Sequence, residues 1–208
     1  MEGIFMLSNT GERVIPDQMK PMNGLLLEHL ARYHFAIPYC KGMVLDFACG
    51  SGYGSQLVAK QRKQEITMVT GLDINPASIK YAKGRYYHPK VNYIIGDVLD
   101  RDLALKLGSF DVILSFETIE HVEDYEQFIL NTKSLLREDG LLILSTPFGN
   151  GVGKETKEPF HVHQFTKEEF HSLFDSFSSV SYYYQRNVLI EPPKPDVHYP
   201  LGIAVARK

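Results

Sequence analysis

The chain has 208 residues, enough for one α/β domain with a full core and too few for two domains of ordinary size. Its 22 Lys and Arg against 25 Asp and Glu give a net charge of −3, which argues against a nucleic-acid-binding surface, so no DNA partner is expected. Two cysteines, no leader-like N-terminus and no long apolar run predict a cytoplasmic protein without a disulfide framework, a signal peptide or a membrane partner.

Apolar runs alternate with helical patterns along the chain. Apolar side chains recur at helical spacing over 23–37, ahead of a first strand at 43–47. The later elements continue the alternation, with strands at 67–72, 91–96, 110–116 and 141–146 and helices at 55–61, 76–86 and 123–136. Strands alternating with helices predict a parallel, doubly wound α/β sheet.

The pattern changes in the last third of the chain. The segment 148–159 is rich in glycine and charge, which predicts a mobile loop at the carboxyl end of the sheet. Thr166 and Glu169 predict a capping box for a helix over 166–174. Two further strands are predicted at 180–184 and 201–206.

A glycine-rich turn follows the first strand. Gly50, Gly52 and Gly54 remove the Cβ atoms that would keep a ligand away from the backbone, and the next helix offers unpaired N–H groups. The spacing is G-x-G-x-G, with Ser55 where the dinucleotide fingerprint has its third glycine. Asp46, just before the turn, would be unfavourable beside a pyrophosphate and favourable beside a cationic ligand.

Two more acids follow the next two strands. Asp73 stands roughly twenty residues past the turn, where an acid meets ribose hydroxyls in doubly wound folds. A carboxylate there can accept hydrogen bonds from both hydroxyls of a cis-diol. Asp97 follows the third strand in the same way. Each acid alone is also typical of a helix N-cap, but three in order at strand ends favour a single nucleoside site.

The glycine turn and the acids after it resemble the class I S-adenosylmethionine-dependent methyltransferases, in particular the ubiquinone/menaquinone-type and bacterial small-molecule group. The resemblance runs from about residue 25 to 207. It implies a Rossmann-like seven-stranded sheet ordered 3-2-1-4-5-7-6, with strand 7 antiparallel, and S-adenosylmethionine as cofactor. It also implies one domain over 1–208, in which 1–40 form an N-terminal arm and helix that cover the cleft.

The same resemblance implies roles for individual residues. Asp97 would lie beside the adenine amino group, and Ile74 and Val98 would contact the ring. The full set expected to bind cofactor is Asp46, Ala48, Gly50, Gly52, Asp73, Ile74, Asp97, Val98 and Phe116.

The residues after the fourth strand indicate the class of acceptor. The sequence there lacks the Asn/Asp-Pro-Pro-Tyr/Phe motif of DNA adenine and protein glutamine methyltransferases, so we expect a small molecule methylated on oxygen or nitrogen. Two other classes stay open: a regulatory module that binds S-adenosylmethionine without turnover, and a nicotinamide oxidoreductase. Asp46 and Ser55 disfavour the oxidoreductase. The sequence does not predict an oligomeric state.

A Glu117-x-x-Glu120-His121 cluster has three interpretations. The acids can begin a helix, where its dipole favours them. Glu120 or His121 can act as a general base, which is the catalytic assignment we adopt. With His161, the set Glu117, Glu120 and His121 can hold a divalent metal, as in the small-RNA 2′-O-methyltransferases that the cluster resembles. Other small-molecule members carry the cluster without a metal, so no metal site is assigned.

Two basic side chains outside these motifs have alternative interpretations. Arg13, in the segment 10–13, can pair with a carboxylate of cofactor or substrate, or belong to a solvated arm. His161 and His163 can lie in a loop over the cleft or on one side of a short strand.

Overall fold

The strands form one sheet in the computed structural model, which describes residues 7–8, 13–156 and 158–208. The strands are β1 (Gly42–Phe47), β2 (Ile66–Asp73), β3 (Val91–Ile95), β4 (Phe110–Phe116), β5 (Leu136–Pro147), β6 (Ser179–Arg186), β7 (Leu189–Glu191) and β8 (Leu201–Arg207). The α-helices in these ranges are α1 (Gly24–Ala36), α2 (Tyr53–Gln61), α3 (Pro76–Arg85), α4 (Leu103–Leu107), α5 (Tyr125–Leu135) and α6 (Lys167–Ser172). No helix among the described residues is both long enough and apolar enough to cross a membrane.

The strand order is β3-β2-β1-β4-β5-β8-β6-β7. The first five strands in this order pair in parallel, whereas β8 runs antiparallel to both β5 and β6. The predicted Rossmann-like order is therefore confirmed, with β8 in the place of strand 7. The sheet has eight strands rather than seven because β7 adds a short antiparallel strand at the edge, pairing Tyr184 with Glu191.

Both faces of the sheet are covered, as the apolar central strands predicted. In β1, Val44 belongs to the core cluster that contains Tyr33 of α1 and Val58 of α2. The next residue, Leu45, belongs to the second cluster, with Phe128 of α5. Successive side chains of a strand point to opposite faces, so α1–α3 cover one face of the sheet and α4–α6 the other.

Polar caps fix where the helices begin. The side chain of Asn23 accepts from the backbone N–H of Leu26 at the start of α1. Asp124 caps α5 in the same way, so this helix begins at residue 125, two residues later than predicted. The predicted capping box at α6 is confirmed, since Thr166 and Glu169 bond each other's backbone.

The segment between β5 and α6 folds back on itself. Gly149 N–H donates to the carbonyl of Phe165 at 2.9 Å, and Gly151 N–H donates to that of Gln164 at 2.8 Å. Val162 N–H donates to the carbonyl of Glu120 at 2.8 Å. These bonds join the loop to the segment that follows β4, which brings the histidines of the loop towards the carboxyl end of the sheet.

Candidate functional site

A cavity of about 620 Å³ opens at the carboxyl ends of the parallel strands. The strand order reverses direction between β1 and β4, which makes this edge the topological switch point where doubly wound folds bind ligands. The volume lies within the range of about 300–1,000 Å³ typical of small-molecule sites. Seven of the nine residues predicted to bind cofactor line it: Ala48, Gly50, Asp73, Ile74, Asp97, Val98 and Phe116.

The first two glycines of the turn serve different purposes. Gly50 has φ +56°, and a Cβ built on it would meet nothing within 4 Å, so the missing side chain leaves space in the cavity. Gly52 has φ +86°, and its Cβ would lie 2.5 Å from the Cβ of Ala82. Tyr93 also donates its hydroxyl to the carbonyl of Gly52 at 2.8 Å. Gly52 is therefore required for packing and lies outside the cavity lining.

Asp46, which was predicted to bind cofactor, is buried and is not among the described residues that line the cavity. Its buried carboxylate accepts hydrogen bonds from the Tyr33 hydroxyl at 3.1 and 3.2 Å and from Ser55 Oγ at 2.6 Å. Burial raises the pKa of Asp46 to about 6, although both hydroxyls oppose the shift. Ser55, at the position of the missing third glycine, thus holds the acid of the motif.

The third glycine of the turn accommodates helix α1. A Cβ on Gly54 would lie 1.9 Å from Cζ of Tyr33, so the tyrosine ring packs directly on the glycine. The same ring meets Phe116 edge-on, with centroids 5.0 Å apart. Tyr33 therefore joins α1 to the turn, to the end of β4 and to Asp46.

Asp73 is held in a defined orientation. One carboxylate oxygen accepts the Asn75 N–H at 2.8 Å, and the other accepts the Gly50 N–H at 2.9 Å. Burial raises its pKa above the usual value, and the charge of Arg13 opposes that shift. Each oxygen keeps a further lone pair for a hydroxyl donor.

The wall beside Asp73 is apolar but includes one more acid. Asp97 accepts the Leu99 N–H at 2.9 Å and lines the cavity. Ile74 is 65% exposed, an apolar surface left uncovered at the same wall, and Val98 lies nearby in the lining. An exposed apolar side chain next to two carboxylates fits a flat heteroaromatic group with an attached diol.

The N-terminal segment crosses the glycine turn. Ser51 Oγ donates to the carbonyl of Val14 at 2.7 Å, and both Val14 and Arg13 line the cavity. Of the segment 10–13, the structure describes Arg13 alone, and its guanidinium donates to the carbonyl of Ser8 at 3.0 Å. Arg13 therefore borders the cavity, and its charge acts on Asp73.

The segment after β4 is not the start of an α-helix, so the helix-dipole interpretation of its acids is wrong. Glu117 has φ +53°, and a 3₁₀ turn follows at Ile119–His121. Glu117 lines the cavity, and its carboxylate accepts from Ser145 Oγ at 2.8 Å. A non-glycine residue at positive φ is a strained conformation of the kind found at functional sites.

The two residues assigned to catalysis differ in their surroundings. Glu120 is 0% exposed and does not line the cavity, although the Thr146 hydroxyl donates to one of its oxygens at 3.1 Å. Burial, followed by the charge of Glu117, holds the pKa of Glu120 well above its usual value. His121 does line the cavity, with Nδ1 lying 2.9 Å from the carbonyl oxygen of Phe160.

Three of the four residues considered for a metal come together. Ligand atoms of Glu120, His121 and His161 all lie within 4.8 Å of one another. Glu117 is not part of this group. His163 is also separate from it, because its ring lies against Tyr125 and its Nε2 is 3.2 Å from the carbonyl of Glu123. Both histidines thus lie in a loop rather than on a strand, and they contact different neighbours.

The segment 1–40 was predicted to cover the cleft, but no residue of α1 was predicted to line the cavity. His29 and Tyr33, one helical turn apart, both line it. Arg32 lies between them and is 2% exposed, donating to the side chain of Gln185 at 2.9 Å. The signal was the His-x-x-Arg-Tyr run on the largely apolar helix α1, because polar side chains that become buried need a hydrogen-bond partner or a function.

The sequence of the chain matches those of known methyltransferases. Residues 45–144 match the family model described as a methyltransferase domain. Over 172 residues the chain is 33% identical to a Mycobacterium tuberculosis protein named probable S-adenosylmethionine-dependent methyltransferase, covering 81% of this chain and 60% of that protein. Over 111 residues it is 34% identical to the ubiquinone biosynthesis O-methyltransferase of Histophilus somni, covering 50% and 44% of the two chains.

A solved structure gives a similar fold. The S-adenosylmethionine-dependent methyltransferase of Archaeoglobus fulgidus matches with a TM-score of 0.64 at 16% identity, covering 89% of this chain and 95% of that one. The likeness at this identity concerns the fold alone. The chain spans 60% of the length of the Mycobacterium tuberculosis relative.

Proposed function

Since this chain belongs to the class I S-adenosylmethionine-dependent methyltransferases, we propose that it transfers a methyl group to an oxygen or nitrogen atom of a small molecule. One observation carries the proposal. The glycine turn after β1 and the acids after β2 and β3 border a single cavity at the switch point, with Gly50, Asp73 and Asp97 in its wall.

The wall residues match the parts of the cofactor. Asp73 would accept the ribose hydroxyls with the lone pairs that Asn75 and Gly50 leave free. Ile74 and Val98 would cover the adenine ring, and Asp97 would accept from its amino group. We assign a supporting role to Asp46, which orders the turn through Ser55 and Tyr33 rather than by touching the ligand.

The chemistry demands positioning more than covalent help. S-adenosylmethionine supplies a methyl carbon that is electrophilic because it is bonded to a sulfonium. The protein must hold an acceptor in line with that carbon and exclude water. Phe116 and Tyr33 provide an apolar wall at the end of β4. Of the two residues assigned to catalysis, His121 alone lines the cavity and is able to contact an acceptor.

The remaining part of the cavity supports a small acceptor. Val122 and Phe160 give it apolar surface, and His29, His121 and Glu123 give it groups that hydrogen-bond. An apolar pocket with a few polar groups is typical of small-molecule sites. The net charge of −3 offers no attraction for a polyanion.

Calorimetric titration with S-adenosylhomocysteine tests the cofactor site. We expect micromolar binding, weakened about tenfold or more in Asp73→Asn because a charge-assisted hydrogen bond is lost. Asp102→Asn, an exposed acid outside the cavity, is the matched control and should bind like the wild type. Equal affinities in all three proteins would refute the assignment of Asp73.

A panel of acceptors then tests turnover. Phenols, catechols, amines and sugars are each incubated with S-adenosylmethionine, and formation of S-adenosylhomocysteine is followed by mass spectrometry. Methylated product supports the enzyme. Tight cofactor binding with no product for any acceptor would favour the regulatory module instead.

A second candidate is a metal-assisted O-methyltransferase, favoured by the group formed by Glu120, His121 and His161. One oxygen of Glu120 is buried without a hydrogen-bond partner among the described residues. A proton on Nδ1 of His121, donated to Phe160, would leave Nε2 as a metal ligand. The raised pKa of Glu120 means that a metal must displace a proton there.

Manganese binding tests this candidate directly. With Mn²⁺ as the probe, electron paramagnetic resonance should detect one bound ion that is lost in His161→Ala. The exposed His198→Ala is the matched control. Turnover that survives a chelator, together with no bound Mn²⁺, would remove the metal from the mechanism.

A further inference from the structure

The imidazole of His29 occupies an unusual position for a helical histidine. It lies on α1 and lines the cavity, where it is only partly exposed. No hydrogen bond to its ring occurs among the described residues. By contrast, the Nδ1 of His121 already lies against the carbonyl of Phe160. His29 therefore lines the cavity with a ring that makes no hydrogen bond to the described residues.

The surroundings of His29 keep its ring neutral. Burial and the positive charge of Arg32 hold the pKa of His29 well below its usual value. Arg32 is three residues further along the same helix and is itself buried. A neutral imidazole has one nitrogen with a free lone pair, which is the form that accepts a proton.

Other charged or titratable groups face the same cavity. They come from the N-terminal segment, from α1 and α2, and from the strand ends and the segments after them: Arg13, Tyr33, Tyr53, Cys49, Asp73, Asp97, Glu117, His121 and Glu123. Of the charged groups near His29, the buried Arg32 of the same helix is the one whose charge shifts the pKa of His29.

We propose that His29, in place of the Glu120 or His121 suggested by the sequence, is the general base of the reaction, and that the acceptor is a small molecule whose nucleophilic oxygen or nitrogen carries a proton at neutral pH. This inference rests on the proposed methyl transfer. The lone pair of the acceptor forms a bond to the methyl carbon as the carbon–sulfur bond breaks and its electron pair stays on sulfur. The acceptor proton moves to a ring nitrogen of His29, and the imidazolium later releases it to water.

The site of this transfer is consistent with the packing of α1. His29 precedes Tyr33 by one turn on the same face of the helix, and the Tyr33 ring contacts Phe116 at the end of β4. His29 thus lies on the helix that packs against the end of β4, whereas Asp73 and Asp97 follow β2 and β3 on the other side of β1.

The test compares His29→Gln with His34→Gln, an exposed histidine of the same helix. Each variant is measured with the acceptor from the panel that wild type methylates fastest. We expect kcat of His29→Gln to fall about a hundredfold or more, with KM and the affinity for S-adenosylhomocysteine nearly unchanged. His34→Gln should match the wild type. The deficit should shrink as pH rises, because the acceptor then ionises without help, and added imidazole should restore part of kcat.

Proton NMR provides a readout independent of the acceptor. In protein saturated with S-adenosylhomocysteine, the His29 ring should stay neutral at pH 6. The ring of His34 in the same spectra is the internal comparison. A His29 ring that is protonated at pH 7, or a His29→Gln variant with wild-type kcat across the pH range, would overturn the proposal. A wild-type protein that binds no S-adenosylhomocysteine and methylates no acceptor refutes the proposed function instead.

Discussion

Replacing the buried acid of the glycine turn should make the protein more stable, relative to the wild type, as pH rises from 4.5 to 7.5. Asp46 has a folded-state pKa of about 6, against an ordinary value of 3.8. The folded state therefore binds this proton more tightly than the unfolded chain does. The stability that comes from this binding is complete below about pH 3.8 and is lost as pH rises through 6.

The size of the effect follows from the difference between the two pKa values. At 1.36 kcal/mol for each pKa unit, the ionised Asp46 costs about 3 kcal/mol above pH 6. About 2 kcal/mol of this loss falls between pH 4.5 and 7.5. Asp46→Asn removes the titration and keeps an amide that still accepts from Tyr33 or Ser55. Its free energy of unfolding, relative to that of the wild type, should therefore rise by about 2 kcal/mol across this interval.

Urea denaturation at several pH values measures this difference by linear extrapolation. Subtracting the wild type from the variant at each pH cancels the titration of every other group. Asp102→Asn, an exposed acid, should show no such trend. A difference between Asp46→Asn and wild type that stays constant from pH 4.5 to 7.5 would refute the burial argument for Asp46.

Three other substitutions test the packing around the turn. Gly54→Ala should lower the free energy of unfolding by about 1–3 kcal/mol in urea, because the new methyl overlaps the Tyr33 ring. Gly50→Ala should cost about 1 kcal/mol for the positive φ and weaken S-adenosylhomocysteine binding in calorimetry, since its Cβ enters the cavity. Tyr33→Phe should lower the free energy of unfolding by about 1.5–3 kcal/mol in the same denaturation assay at pH 7.5, because the ionised Asp46 then loses a hydrogen-bond donor. Unchanged stability in Gly54→Ala or Tyr33→Phe, or unchanged affinity in Gly50→Ala, would contradict the corresponding contact.

The sequence predicted most of the architecture because buried positions give each helix and strand a recognisable pattern of apolar residues. Strands such as β4 are nearly all apolar when both faces are covered, and the bounds predicted for β4 match those observed. The strand β7 was missed because three residues, Leu189–Glu191, are too few to show a period. The 3₁₀ turn at Ile119–His121 was missed because acids near a strand end favour an α-helix equally well.

The candidate site was only partly predictable for a related reason. A motif identifies which residues stand near a turn, but it does not say which of them face the ligand. Asp46 and Gly52 belong to the motif, yet packing places them behind the wall. His29 belongs to no motif, and only the docking of α1 through Tyr33 brings it into the cavity. Tertiary contacts of this kind leave no local pattern in the chain.

The contact between Tyr33 and Gly54 has a consequence for how such proteins diversify. Helix α1 precedes residues 45–144, the part that matches the methyltransferase-domain model, yet it supplies one wall of the cavity. An exchanged N-terminal segment could therefore change acceptor preference while the cofactor half stays the same. Chimaeras with relatives should be most stable when the incoming helix keeps an aromatic ring over Gly54 and a hydroxyl on Asp46. The position of Tyr33 is therefore the one on which donor helices should be aligned.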